Sequence, residues 1–444
     1  MKNAFRPSVI AAALSCTIAT PVVAQEPVVS TEQELAAMRA ELQALTSRIV
    51  ELETDLAAAR AASVNQSAPE PSMPAQSTTA VELAKSDGWS FKPRGRLMVD
   101  AGTITTPDSI SADDGFGNEV RRARIGAAGN LAGGFGYKFE VDFAGDEVAV
   151  ADAILTYEDG PLEIAIGQHN NFQSLEELTS SLHTSFIERA AFTDAFGFER
   201  RIGASASYGS GMFLAQLGIF ADNIADGGSD NRGVDGRLVV MPEIGSTQLH
   251  FGGSLHYNDL GEEDPSVRYR QRPFVHFTST RFVDTRSLAA DKEFGVGLEA
   301  AAIAGPVHAA AEGYRQKVDT PLTSTNPTFF GGYLEAGYFL TSGDTRGYKG
   351  GKFDRVKPSS PVGEGGFGSL QLNLRYDYLD LNDAEIIGGI QNGYQASLIW
   401  KPTDYTLFSV NYGRMEYDDA VLPTADGNRD YGVDAVGVRA QVDF

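Results

Sequence analysis

The residues best equipped for chemistry in this chain are cationic, and their spacing suits a strand. Lys92, Arg94 and Arg96 recur at every second position, and a denser group, Arg121-Arg122-Ala123-Arg124, follows. Alternate side chains share a face on extended backbone. Lys92, Arg94 and Arg96 therefore stand with Ser90, opposite Phe91, Leu97 and Val99. Lys138 falls on the polar face of a later alternating stretch. A guanidinium stays charged, and its planar fork gives two parallel charge-assisted hydrogen bonds to an oxyanion. A row of such groups facing one space would bind and steer anions rather than make bonds. The competing reading is that they only pair with Glu140, Asp142 and loop acids.

Arg121 needs its own account. Strict alternation sends Arg122 and Arg124 to the polar face and Arg121 to the face of Ala123 and Ile125. If that face met lipid at mid-depth, the cost would be about 2–4 kcal/mol. Arg121 is therefore expected near a strand end, at a bulge, or snorkelling.

Other chemistries find little support. The six histidines (His169, His183, His250, His256, His276, His308) show no metal-ligand spacing, and there is no P-loop, nucleophile elbow or His-Glu-x-x-His. Cys16 is the only cysteine, which excludes an internal disulfide and a cysteine zinc site. No metal, cofactor or catalytic residue is expected. The one enzymatic alternative is a Ser–His pair assembled across strands.

The elements that must carry these cations have a period of two from Trp89 onward. Phe135, Tyr137, Phe139, Val141 and Phe143 alternate with Gly136, Lys138, Glu140, Asp142 and Ala144. Ile202, Ala204, Ala206 and Tyr208 alternate with Arg201, Gly203, Ser205 and Ser207. Val436, Val438, Ala440, Val442 and Phe444 close the chain in the same way. Turn clusters such as Gly227-Gly228-Ser229-Asp230 and Asp426-Gly427-Asn428 separate the segments. A soluble sandwich or propeller would also alternate. A leader at the N-terminus, an aromatic last residue and abundant glycine (48) and tyrosine (16) favour a transmembrane antiparallel β-barrel. Its strand-like segments number about sixteen. Across 444 residues, 36 basic side chains face 59 acidic ones, a formal charge of −23, which argues against duplex nucleic acid as a partner.

The N-terminal part reads differently. Lys2 and Arg6, the apolar Val9–Ile18 and the small residues of Val22-Val23-Ala24 describe a signal peptide over 1–24, placing the chain beyond the cytoplasm. Leu35, Met38, Leu42, Leu45, Ile49, Leu52, Leu56 and Ala59 follow a strict heptad. With Leu35 at position a, the pairs Glu34–Arg39, Arg48–Glu53 and Asp55–Arg60 are opposite in sign across a parallel interface. Residues 28–62 are thus expected to form an α-helical periplasmic coiled coil that prefers a trimer. Residues 63–88, rich in Ser, Ala, Gln and Pro, form a linker, and 89–444 form the barrel.

The barrel part resembles the phosphate-selective porin O and P family. The resemblance rests on Phe172-Gln-Ser-Leu-Glu-Glu-Leu-Thr-Ser-Ser181 followed by Phe186-Ile-Glu-Arg189, on Arg94-Gly-Arg96 and Arg121-Arg122-Ala123-Arg124, on Asp354-Arg-Val-Lys-Pro358, on Arg375-Tyr-Asp-Tyr-Leu-Asp-Leu-Asn382, and on Gly437-Val-Arg-Ala-Gln-Val-Asp-Phe444, all in order. It implies an outer-membrane homotrimer of sixteen-stranded barrels, each narrowed by an infolded loop carrying Glu176, Glu177, Thr179, Ser180 and Ser181. Arg94, Arg96, Arg121, Arg122, Arg124 and Lys138 would line the pore. The implied partners are membrane lipid and small anionic or polar solutes such as phosphate, with the coil a candidate tether to the cell wall. That tether is the alternative main role. The loop departs from the phosphate-specific pattern, in which a lysine follows the Leu-Glu pair. Glu177 stands there instead, and Leu182 after Ser181 supplies no replacement cation. A weak anion preference is therefore expected rather than tight phosphate binding.

Overall fold

A computed structural model describes residues 47–48 and 84–444, apart from 87, 111, 113, 228, 229 and 262–264. Sixteen long strands make one sheet. They are β1 (Trp89–Thr105), β2 (Gly115–Asn130), β3 (Phe135–Asp142), β4 (Ala149–Asp159), β5 (Leu162–Asn170), β6 (Arg200–Ser210), β7 (Phe213–Phe220) and β8 (Arg232–Val240). The second half comprises β9 (Thr247–Asp259), β10 (Lys292–Ala304), β11 (Val307–Asp319), β12 (Thr328–Phe339), β13 (Ser369–Asp383), β14 (Ile386–Thr403), β15 (Thr406–Asp418) and β16 (Tyr431–Asp443). Each pairs antiparallel with its neighbours in sequence, and β16 returns to β1 from Arg96↔Asp443 to Thr105↔Asp434. The sheet is a closed sixteen-stranded barrel, with no free edge for another chain to pair with.

The last residue takes part in closure. Gly95 N–H donates to the Phe444 carbonyl at 3.1 Å, and Phe444 N–H returns the bond to Gly95 O at 3.0 Å. A Cβ on Gly95 would lie 2.2 Å from the Phe444 ring. Glycine between Arg94 and Arg96 is thus what lets the terminal ring lie across the seam.

The period-two pattern divides inside from outside as expected. Leu97, Val99, Phe139, Ile166, Leu217, Leu298, Leu374 and Val438 are exposed on the outer face, while Arg96, Asp100, Arg124, Glu140, Arg237 and Arg375 are buried in the lumen. Such a barrel is apolar outward and polar inward because lipid solvates the first set and water or ion pairing the second.

The lumen is not evenly filled. Two long loops at one end fold into it: residues 171–199, carrying the short helices α1 (Leu175–Leu178) and α2 (Ala191–Ala195), and residues 265–291. Their Phe192, Phe196, Phe198, Tyr269, Phe274 and Phe282 are buried against Tyr314 of β11, Tyr333 of β12 and Tyr417 of β15. The ring contacts include Phe198–Tyr314 at 4.7 Å, edge-on, and Phe282–Tyr417 at 4.9 Å. This aromatic plug occupies the side of β10–β16 and leaves the open path along β1–β7. The opposite end carries mostly short turns, with one exception. Residues 340–368 join β12 to β13 and include a small hairpin of Gly347–Lys349 with Lys352–Asp354. Short turns mark the periplasmic end of such barrels.

Of the heptad region only Ser47 and Arg48 are described, and both are helical. The coiled coil, the signal peptide and most of the linker lie outside the described residues.

A cationic constriction between two chambers

The open path comprises two chambers that share part of their lining, and this junction is its waist. The inner chamber, toward the short turns, has a volume of about 360 Å³. It is lined by eight cations (Arg94, Arg96, Arg122, Arg124, Lys138, Arg189, Arg200, Lys352) against three carboxylates (Asp152, Glu163, Glu177). The outer chamber, about 280 Å³, is more evenly charged and includes Arg121, Asp142, Glu188, Asp194, Glu199 and Arg272. Five charged residues line both chambers and so define the waist: Arg122, Arg124, Glu177, Arg189 and Arg200.

The strand register explains how β2 delivers two adjacent arginines. Met98 pairs with Arg122 but Val99 pairs with Val120, so Arg121 is the extra residue of a β-bulge. A bulge re-aims the side chains at the inserted position. Val120 stays exposed outside, and Arg121 turns inward to Glu188 of the loop, with bonds of 2.6 and 3.0 Å. Of the three placements expected for Arg121, the bulge is the one found. Glu188 also meets Arg439, which holds Asp100 through two 2.7 Å bonds. Burial alone would raise the Glu188 carboxyl, but Arg121, then Arg439 and His276, hold it below the ordinary carboxylate range.

The remaining expected cations split into two groups. Arg96 pairs with Glu140 at 3.2 Å and donates to Ser181 Oγ at 3.1 Å. Arg124 pairs with Glu140 at 3.0 Å and with Asp142 at 2.7 Å. Lys138 pairs with Asp152 at 2.6 Å, and Arg200 shares that carboxylate at 2.8 Å. For these the pairing reading holds, although they still line the chamber. Arg94 and Arg122 make no ion pair or hydrogen bond among the described residues.

The loop residues also divide. Thr179, Ser180 and Ser181 line the inner chamber. Glu176 does not: its carboxylate turns to the wall and meets Arg375 Nη2 at 2.8 Å. It anchors the loop rather than lining the path. Glu177 does reach the waist, and although Leu182 supplies no cation, Arg189 meets its carboxylate. The chain doubles back after Leu182, and Arg189 donates to the carbonyls of Glu176, Glu177 and Thr179 at 3.0, 3.1 and 2.9 Å. Its Nε also sits 3.3 Å from the Glu177 carboxylate. Burial raises the Glu177 carboxyl above its ordinary value, against the pull of Arg189, Arg200 and Arg122. Arg200 and Lys352 are further lining cations that spacing did not single out. Arg200 opens β6 directly after the loop, and Lys352 arrives on the infolded periplasmic turn.

Helix α1, which carries Glu176 and Glu177, is pinned at its start. Ser174 Oγ accepts from Glu177 N–H at 3.2 Å. Glu312 of β11 accepts from Ser174 Oγ, Leu175 N–H and Glu176 N–H at 2.9, 2.9 and 2.7 Å, and from the Tyr333 hydroxyl at 3.0 Å. One carboxylate thus satisfies the N–H groups that a helix start leaves open.

Comparisons with known proteins agree with this architecture. An uncharacterized protein of Caulobacter vibrioides is 42% identical over 471 residues, spanning 98% of this chain and 94% of that relative. Among solved structures, the outer-membrane-expressed OmpT of Vibrio cholerae superposes with a TM-score of 0.53 at 11% identity, covering 82% of this chain and all of that one. An anion-selective porin from Comamonas acidovorans gives 0.51 at 13% identity, covering 80% of this chain and 100% of the other. At such identities the likeness is one of fold. The sequence model of phosphate-selective porin O and P matches residues 91–444; the chain belongs to that family and is a porin barrel of the outer membrane.

Proposed function

We propose that this porin is a passive channel for small anions, with a weak preference rather than tight phosphate binding. The observation that carries the reading is the waist, where Arg122, Arg124, Arg189 and Arg200 stand against the single carboxylate of Glu177. Selectivity in a water-filled pore follows from width and from the charges at its narrowest point. Arg122 has no counter-ion among the described residues, so its field is available to a passing anion. Arg124 and Arg200 are neutralised by Asp142, Glu140 and Asp152, which is why the preference is weak. In the same reading the protein is a homotrimer in lipid, with 28–62 as a periplasmic coil that reaches toward the cell wall. A trimer form of the Vibrio cholerae OmpT barrel supports the oligomer by analogy.

Reversal potentials of the purified protein in planar bilayers under a potassium chloride gradient test the reading. Chloride preference is expected, and Arg122→Ala should reduce or reverse it. A cation-preferring wild type would overturn it.

A further inference from the structure

The two walls of the inner chamber differ in kind. Arg94, Arg96, Arg122, Arg124 and Lys138 project from β1–β3, whereas β5–β7 present the neutral groups His169, Ser205, Ser207 and Gln216, with Arg200 at the end where the two chambers meet. The geometry points to an organic phosphate with a polyhydroxyl body, a sugar phosphate, as the solute class this chamber favours. This rests on the anion-channel reading and narrows it.

The hydrogen bonds of the serine wall fix which way each group faces. His169 Nδ1 lies 2.9 Å from the carbonyl of Asn170. A carbonyl only accepts, so Nδ1 carries the proton and Nε2 is the acceptor. Ser205 Oγ, 3.2 Å from Nε2, therefore donates to it and turns its lone pairs to the chamber. Next to it, Arg237 donates to Gln216 Oε1 at 3.1 Å, which commits the Gln216 amide to donate to Ser207 Oγ at 3.2 Å. Ser207 is left with its O–H to give. One serine offers an acceptor and its neighbour a donor. A sugar hydroxyl both gives and takes and satisfies the two together, whereas a fully ionised oxyanion only takes and is opposed by Ser205. Glu163, which makes no ion pair among the described residues, adds a second acceptor on this side. It repels a bare anion but bonds hydroxyls.

The opposite wall suits the phosphate end. The side chains of Arg94 and Arg122 have no ion-pair or hydrogen-bond partner among the described residues, and Ser181 already accepts from Arg96, so its hydroxyl proton is free for an oxyanion. Arg94 pairs with Gly126 and Met98 with Arg122, so the two free arginines lie four β2 positions apart, about 13 Å along the strand. The chamber volume of about 360 Å³ matches a small organic ligand better than a lone oxyanion.

The test compares a sugar phosphate with inorganic phosphate and with a neutral sugar. Full-length protein in planar bilayers is titrated with glucose 6-phosphate, inorganic phosphate and glucose, and half-block of chloride current is read for each. Two added neutral hydrogen bonds correspond to roughly tenfold. Glucose 6-phosphate should half-block at about one tenth of the phosphate concentration, and glucose should not block. Ser205→Ala with Ser207→Ala should bring the two phosphates to within about twofold. Equal or stronger block by inorganic phosphate overturns the inference while a chloride-preferring reversal potential leaves the channel reading intact. An unchanged ratio in the double variant overturns it too. If that variant does not assemble, the wild-type ratio decides alone.

Discussion

Arg189 and Glu177 face each other across a doubled-back loop at 3.3 Å, and the same guanidinium bonds three carbonyls of the segment that carries Glu177. The acidic residue at the waist is therefore part of the loop's own scaffold as well as part of the pore field. A lysine in its place would confront Arg189 and disturb the loop, so the informative change is neutral and isosteric. Glu177→Gln should strengthen anion preference. A unit charge 4–6 Å from a permeating ion is worth about 3–4 kcal/mol at an effective dielectric near 20. Screening reduces this to about 1 kcal/mol, a few-fold in permeability ratio. Unchanged reversal potentials would remove Glu177 from the account of selectivity.

Arg121→Ala makes a second prediction. It strips Glu188 of the partner chiefly responsible for holding its carboxyl low, leaving Arg439 at 3.4 Å. Breaking a buried pair costs about 3–5 kcal/mol, and the remaining arginine places this case at the lower end. The sign of the pH effect follows from the depressed carboxyl. In the wild type the pair's contribution is complete above the ordinary carboxylate value of about 4.3 and is lost as pH falls through the lower folded value. In the variant the folded value lies nearer the unfolded one, so this contribution is smaller and stability depends less on pH. Thermal unfolding in detergent checks it: the variant should unfold several degrees below the wild type at pH 7, and the gap should narrow as pH falls below about 4.

A third prediction concerns the outer chamber. Glu199 is exposed at the outer chamber, and partial desolvation there, with Asp226 and Asp222 nearby and against Arg201, pushes its carboxyl up to about 6. It is ionised at pH 7.5 and mostly neutral at pH 5, so the outer chamber loses a negative charge on acidification. Anion permeability should rise by less than about twofold with a midpoint near pH 6, and Glu199→Gln should remove that step. A step of equal size in the variant would assign it to another group.

The sequence made the barrel legible for a physical reason. Alternation of period two is a local property, and lipid outside with water inside enforces it on every strand, from Phe139 beside Glu140 to Val438 beside Arg439. The cation strip was legible on the same ground. What alternation cannot show is a single inserted residue, and the bulge at Arg121 depends on how β1 and β2 align. Arg189 stands in the loop motif, but its role was not legible because it arises only when the loop reverses between Leu182 and Phe186 and returns it to Glu177. The inward swing of Glu176 to Arg375 joins residues 199 apart, and the delivery of Lys352 depends on a periplasmic turn folding into the lumen. A cue was available for Arg200, the first residue of the strand after the loop and part of the pair Arg200-Arg201.

The last prediction tests what keeps the waist narrow. Glu312 collects four hydrogen bonds, three from the start of α1 and one from Tyr333, and it stands on β11, on the far side of the lumen from the arginine wall. Its two oxygens do for α1 what a capping side chain does for a longer helix, but from another strand. A four-residue helix has no stability of its own, so the loop's set depends on this carboxylate, on Glu176–Arg375 and on the Arg189 clamp. Glu312→Gln keeps the volume and one acceptor but turns an NH₂ group toward donors. Leaving buried donors unmet costs about 1–3 kcal/mol. The loop should then sample outward positions that carry Ser180, Ser181 and Arg189 away from the path. Single-channel recordings should show larger, noisier openings with reduced chloride preference, while the barrel itself, closed by β1 and β16, stays folded in detergent. Steady openings with wild-type conductance and selectivity would show that the loop is held by its aromatic packing alone.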